Sequence, residues 1–239
     1  MNDRWLLRIG ALAAITGALA QAAATVLEPE WSGDPGKAIR TIAGSSIWTL
    51  DRVLDLVGLF LVVGALAVVG RTFTGGAGRD WARVGQPFLA VLGGLGASAV
   101  LTGATLKQVA DAWATAGPAA KPDHLAAFAA VSQITDALFF GAFLAMGAYL
   151  ATLAAAILGG GVYARWVGRA CAASAVLVLA GDLVMLAAEA AFLAVLVGFL
   201  LFLVVLIALG VAMWQRAAPL TSAADRGAAA GGGSSRWVG

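Results

Sequence analysis

Apolar residues along this chain of 239 residues gather into six long blocks, parted by shorter stretches that hold most of the charges. A block of about 20 mostly apolar residues is long enough to cross a bilayer as an α-helix. The pattern predicts spans over 5–27, 47–70, 84–109, 124–158, 167–188 and 190–214. The fourth is longer than a bilayer is thick, so it predicts a tilted helix or one that begins outside the membrane. No glycine or proline marks a turn between Leu186 and Phe192. A single helix through the last two blocks would nonetheless reach roughly 70 Å, so the chain is expected to reverse near Glu189. Residues 216–239, with Gly231-Gly232-Gly233-Ser234-Ser235, predict a flexible tail that has no core to join. The expected fold is an all-α, polytopic membrane protein, a bundle of six transmembrane helices.

Composition strengthens that reading. Apolar residues make up 61% of the chain and charged residues 12%, with a mean hydropathy of +0.91. Soluble domains carry about a quarter charged residues. The arginines also set an orientation. Arg4, Arg8, Arg71, Arg79, Arg83, Arg165, Arg169, Arg216, Arg226 and Arg236 fall on one side of the predicted spans, and Lys37, Arg40, Arg52, Lys107 and Lys121 on the other. The positive-inside rule then places both termini in the cytoplasm, and the protein in the plasma (inner) membrane. Trp5, Trp81, Trp166 and Trp214 mark the inner interface, Trp48 and Trp113 the outer one. Arg4, Arg8 and the following apolar stretch to Ala20-Gln21-Ala22 have some features of a cleavable signal. The length of that stretch and the five spans after it favour a first membrane helix.

The candidate chemistry lies in the carboxylates inside these blocks. A charge at mid-bilayer costs roughly 2.5–3.5 kcal/mol on insertion scales, so such residues face an interior site or one another. With the topology above, Asp55, Asp136 and Asp182 all fall in the outer half of the membrane, whereas the inner half holds almost no ionisable group. Residues three, four or seven apart share a helix face. This groups Asp51 with Asp55, Lys107 with Asp111, Gln133 with Asp136, and Asp182 with Glu189. The expectation is an outward-opening acidic pocket lined by Asp55, Asp136 and Asp182, with Arg52 or Lys107 as counter-charge. Gln21, Gln133, Phe139 and Phe140 complete the candidate ligand-binding set. Asp51, Asp111 and Glu189 lie nearer the interface and are read as solvated, and a snorkelling Lys107 is the plainer account of that lysine.

Small residues on the first helix (Gly10, Ala14, Gly17) and the third (Gly93, Gly94, Gly96, Ala97, Ser98) predict close backbone approach. One cysteine, Cys171, excludes an internal disulfide, and one histidine, His124, disfavours a histidine-built metal or haem site, so no cofactor and no metal are expected. The dispersed arginines give no nucleic-acid footprint. The expected partners are membrane lipids and a hydrophobic small molecule.

Two segments carry a resemblance. Thr102-Gly-Ala-Thr-Leu-Lys107-Gln-Val-Ala-Asp-Ala-Trp113 and Tyr163-Ala-Arg-Trp166-Val-Gly168 resemble parts of uncharacterised bacterial six-helix membrane proteins of a domain-of-unknown-function family. That resemblance implies fold and membrane location, and supplies no activity. In length and helical character the chain is also similar to small integral membrane terpene cyclases, which implies an intramembrane Asp as general acid. Three function classes follow: a binder of a hydrophobic or amphipathic small molecule, an acid-initiated isoprenoid cyclase, and a proton-coupled transporter. An inner half without polar residues, and the absence of a helix with a proline-broken middle, disfavour transport.

Overall fold

The apolar blocks fold as helices because a bilayer offers their backbone groups no other hydrogen-bond partner. A computed structural model of the chain describes residues 3–28, 34–185 and 192–218. These residues form seven helices: α1 (Asp3–Leu27), α2 (Pro35–Gly44), α3 (Trp48–Arg71), α4 (Gly76–Thr115), α5 (Lys121–Gly160), α6 (Arg165–Met185) and α7 (Phe192–Ala217). All but α2 are long and apolar enough to cross a membrane, which marks a multi-pass membrane protein. The expected reversal at Glu189 and most of the expected tail lie outside the described residues, although α7 continues through Arg216 to Ala217.

Each long helix packs against its neighbours in the chain, and α1 against α7 closes the ring. Lipid tails are as apolar as leucine, so helices in a membrane associate through close packing, which small residues permit. A Cβ on Gly17 would lie 3.0 Å from the backbone nitrogen of Val62, and one on Gly210 3.0 Å from the carbonyl oxygen of Ala11. The predicted small face of α1 therefore packs as expected. The predicted small face of α4 packs only in part: a Cβ on Gly96 would come 2.9 Å from Leu59 Cδ2, whereas one on Gly94 would meet nothing within 4 Å. The tightest places on α4 are against α5: Gly78, where a Cβ would come 2.8 Å from the Cα of Gly160, and Gly85, 2.6 Å from Thr152 Oγ1. Leu66, Leu150, Leu206 and Leu209 fill the interior without exposure. Across it the Tyr149 hydroxyl donates to the Leu66 carbonyl at 3.2 Å.

The bundle has two unlike ends. Arg8, Arg71, Arg79, Arg83, Arg165, Arg169 and Arg216 lie toward one, the basic end. Glu28, Asp51, Asp55, Asp111, Asp123, Asp136 and Asp182 lie toward the other, the acidic end. At the acidic end α4 and α5 outrun the membrane helices. The indole of Trp48, the first residue of α3, donates to the Gly103 carbonyl at 3.1 Å, so these residues are level. From Gly103 to Thr115 helix α4 rises about 18 Å further. Both α4 and α5 thus extend beyond the predicted spans 84–109 and 124–158. Packing rather than hydropathy maintains them there.

Helix α2 supplies that packing. Asp34 caps it by accepting from the Gly36 amide at 2.8 Å, with Pro35 at its first position. Its apolar stripe of Ala38, Ile39 and Ile42 joins Trp48, Leu106, Ala110 and Phe128 in a second, small core. The length criterion for spanning helices passes over such a short element, but the Asp-Pro start and the apolar spacing are its readable signal. Lys107 ties the far end, donating to the Ala43 carbonyl at 3.1 Å and to Asp111 at 2.6 Å. Truncating the fully buried Phe128 to alanine should cost about 3–5 kcal/mol in this small core. Amide exchange across Pro35–Gly44 is expected to quicken while α7 stays protected; unchanged exchange in α2 would show that other contacts hold it.

Candidate functional site

Where α1 meets α3 at the acidic end, one guanidinium faces three carboxylates. Arg52 donates to Asp51 Oδ2 from Nε at 3.0 Å and from Nη2 at 2.7 Å. The same Nη2 reaches Glu28 Oε1, at the end of α1, at 2.5 Å. Nη1 lies 4.0 Å from Asp55 Oδ2. Under the guanidinium lies the Trp48 ring, with 4.7 Å between the Arg52 Cζ and the ring centroid. Gln21 completes the group from α1, donating to the Asp55 backbone carbonyl at 2.7 Å and to Asp55 Oδ1 at 2.8 Å.

Local sequence explains the convergence. Asp51 and Asp55 share a face one turn apart, and Arg52 follows Asp51 directly, so a single turn of α3 presents all three. Gly58 clears the way for Gln21, since a Cβ there would sit 2.8 Å from Gln21 Nε2. Side-chain exposure is 1% at Asp51, 6% at Arg52, 18% at Asp55 and 43% at Glu28. The group is therefore dry at Asp51 and Arg52 and open at Glu28. Asp51 Oδ1 is buried without a hydrogen-bond partner among the described residues. With all four groups ionised, the three acids exceed the single cation. The site has unused capacity to accept hydrogen bonds and positive charge.

Of the residues expected at a pocket, Gln21, Arg52 and Asp55 come together. Glu28, Asp51 and Gly58 were missed. Asp51, expected to be solvated, is fully buried; its adjacency to Arg52 was the available signal. Trp48, expected in an interfacial belt, is also buried at 1% exposure, because its indole and ring serve Gly103 and Arg52. At the basic end Trp5, Trp81, Trp166 and Trp214 do face outward.

The other candidates stand apart from this cluster. Asp136 and Gln133 are exposed on α5, flanking the inward-facing Thr135, which donates to Thr102 at 3.1 Å. Lys107 belongs to the α2 tie described above, so it is not the counter-charge of the cluster. Phe139 stacks on Phe143 at 6.5 Å, and Phe143 meets Phe199 edge-on at 6.2 Å, which continues an aromatic row from α5 to α7. Phe140 is half-buried. Asp182 lies on α6, which packs on α5 and α7 rather than on α1 or α3. It is fully buried, and neither carboxyl oxygen has a partner among the described residues.

No family model, curated protein or solved structure matches this chain, so its chemistry is read from its own geometry.

The two buried acids should respond oppositely to substitution. Arg52→Met strands Asp51 without its partner and is expected to cost about 3–5 kcal/mol, as breaking a buried pair does. Asp182→Leu replaces an unpartnered polar group by an apolar one of similar size and is expected to preserve or raise the unfolding temperature in detergent. A clear drop for Asp182→Leu would show that the carboxyl has a stabilising partner.

Proposed function

We propose that this is a protein of the bacterial inner membrane that binds a small amphipathic molecule with a cationic head at the acidic end, between α1 and α3. The observation that carries the reading is the imbalance at Arg52: among the described residues, three carboxylates face one guanidinium, and a buried oxygen of Asp51 has no donor. Keeping such charge in a membrane protein is expensive, and one further donor with positive charge offsets it. The half-open Glu28 provides the entry, and the apolar residues of α1 and α3 below it suit the hydrophobic part of the ligand. Asp55, Gln21 and Arg52 remain the core of the proposed site.

Dodecylammonium and dodecyl sulfate share a tail and differ in head charge, which makes them a matched pair of probes. The ammonium amphiphile is expected to stabilise the detergent-solubilised protein by about 2.7 kcal/mol at a hundred times its Kd, read as a higher unfolding temperature. The sulfate should not. Glu28→Gln and Asp55→Asn should each weaken ammonium binding about tenfold or more, equivalent to about 1.4 kcal/mol. An equal response to both amphiphiles, or undiminished affinity in both variants, would overturn the proposal.

The same reading puts the acidic end outside the cell, because the arginine-rich end belongs in the cytoplasm. In a Cys171→Ala background, Gly117→Cys in the α4–α5 turn should react with an impermeant maleimide on intact cells. Gly75→Cys in the α3–α4 turn should react only after permeabilisation. The reverse pattern would invert the topology.

Acid-initiated isoprenoid cyclisation is the second reading, and Asp182 is the observation that favours it. Asp55 is engaged by Gln21 and Arg52, whereas the Asp182 carboxyl is dry and has no partner among the described residues. A burial-favoured neutral carboxyl in apolar surroundings is a competent general acid. This reading requires that Asp182→Asn, still folded, abolish cyclic product from a polyprenyl substrate.

A further inference from the structure

At the basic end an apolar groove of about 320 Å3 opens between the start of α6 and the last turns of α7. Val167, Ala208, Val211 and Ala212 form its walls, and Tyr163 and Gln215 its polar end. The small side chains on α7 leave the space, and Val211, 44% exposed, borders it on the outer surface of the bundle. Trp166 also lines the groove and is 56% exposed, as a residue at the bilayer interface is. The groove therefore passes from the hydrocarbon layer into the headgroup layer.

Among the described residues, the charged side chains next to its lining residues in sequence are all arginines. Arg169 lies three residues after Trp166 and shares its helix face. Arg165 precedes Trp166, and both arginines are exposed. Arg216 lies over the Tyr163 ring with its Cζ 4.8 Å from the centroid. Tyr163 is itself fixed, its hydroxyl accepting from Thr72 Oγ1 at 3.1 Å. Burial raises the Tyr163 phenol above its ordinary range, so it adds no negative charge. None of these three arginines has a carboxylate within ion-pair distance among the described residues.

We infer that this groove holds one acyl chain of an anionic phospholipid whose phosphate is bound by Arg165, Arg169 and Arg216. An apolar slot with unpaired guanidinium groups at the headgroup level matches that molecule at both of its ends. A zwitterionic lipid offers the same chain, but its own cation offsets the phosphate. The inference does not depend on which side of the membrane the basic end faces, nor on the amphiphile site at the opposite end.

The test uses the full chain, delipidated in detergent and titrated with phosphatidylglycerol or phosphatidylcholine, with retained lipid counted by native mass spectrometry. Phosphatidylglycerol should be retained at least tenfold more strongly. Two variants separate groove from charge: the double substitution Arg165→Gln and Arg169→Gln, and Val211→Trp, which obstructs the groove and leaves every arginine in place. Both should reduce phosphatidylglycerol retention to the phosphatidylcholine level. Excess inorganic phosphate should not displace the lipid. Equal retention of the two lipids, retention untouched by either variant, or displacement by phosphate alone would each overturn the inference. Should Val211→Trp fail to fold, the exposed arginine pair decides the matter.

Discussion

The arrangement at the acidic end depends on a single guanidinium. Arg52 is nearly dry, and so is Asp51, the acid bound to it most directly. In a membrane bundle, neither charge is tolerable without the other. The ion pair to Glu28 and the amide bridge from Gln21 to Asp55 both connect α1 with α3, so the charges that need one another also fix the two helices. Trp48 extends the constraint, since one side chain supports the guanidinium and reaches across to α4.

Beyond this group the acidic end is built more like a soluble protein than a bilayer span. Helix α2 buries an amphipathic stripe against the extensions of α4 and α5, with a capped start and a lysine tie at its far end. Among the described residues the basic end has no comparable small core; it meets its surroundings with outward-facing tryptophans and arginines. The molecule therefore has a folded cap over one end and a lipid-facing rim at the other. The proposed amphiphile site and the proposed lipid groove follow that division.

Much of this was legible in the residues. Spans show in hydropathy because the bilayer demands about 20 apolar residues for each, and the six long helices match. The convergence of Gln21, Arg52 and Asp55 was legible because charge and polar groups in such blocks need partners. What hydropathy did not convey was direction. Asp136 and Asp182 occupy similar predicted depths to Asp55, yet one faces outward on α5 and the other inward on α6. Depth follows from position along a helix, whereas facing depends on which neighbours it packs against. Asp51 and Trp48 were misjudged for a related reason. Proximity to a helix end suggested solvent, but the cap and the α4–α5 extension raise the protein surface well beyond the start of α3. Glu28 carried no periodic signal because it falls just past its span.

The central claim is that Arg52 is shared between helices, and a double-mutant cycle on Glu28 and Arg52 tests it most directly. Unfolding free energies of Glu28→Gln, Arg52→Gln and the double variant are compared with that of the parent protein in one detergent. Residues in direct contact show coupling of about 0.5–3 kcal/mol. The predicted result is stabilising coupling within that range, toward its lower part because Glu28 is 43% exposed. Strict additivity of the two substitutions would contradict the account.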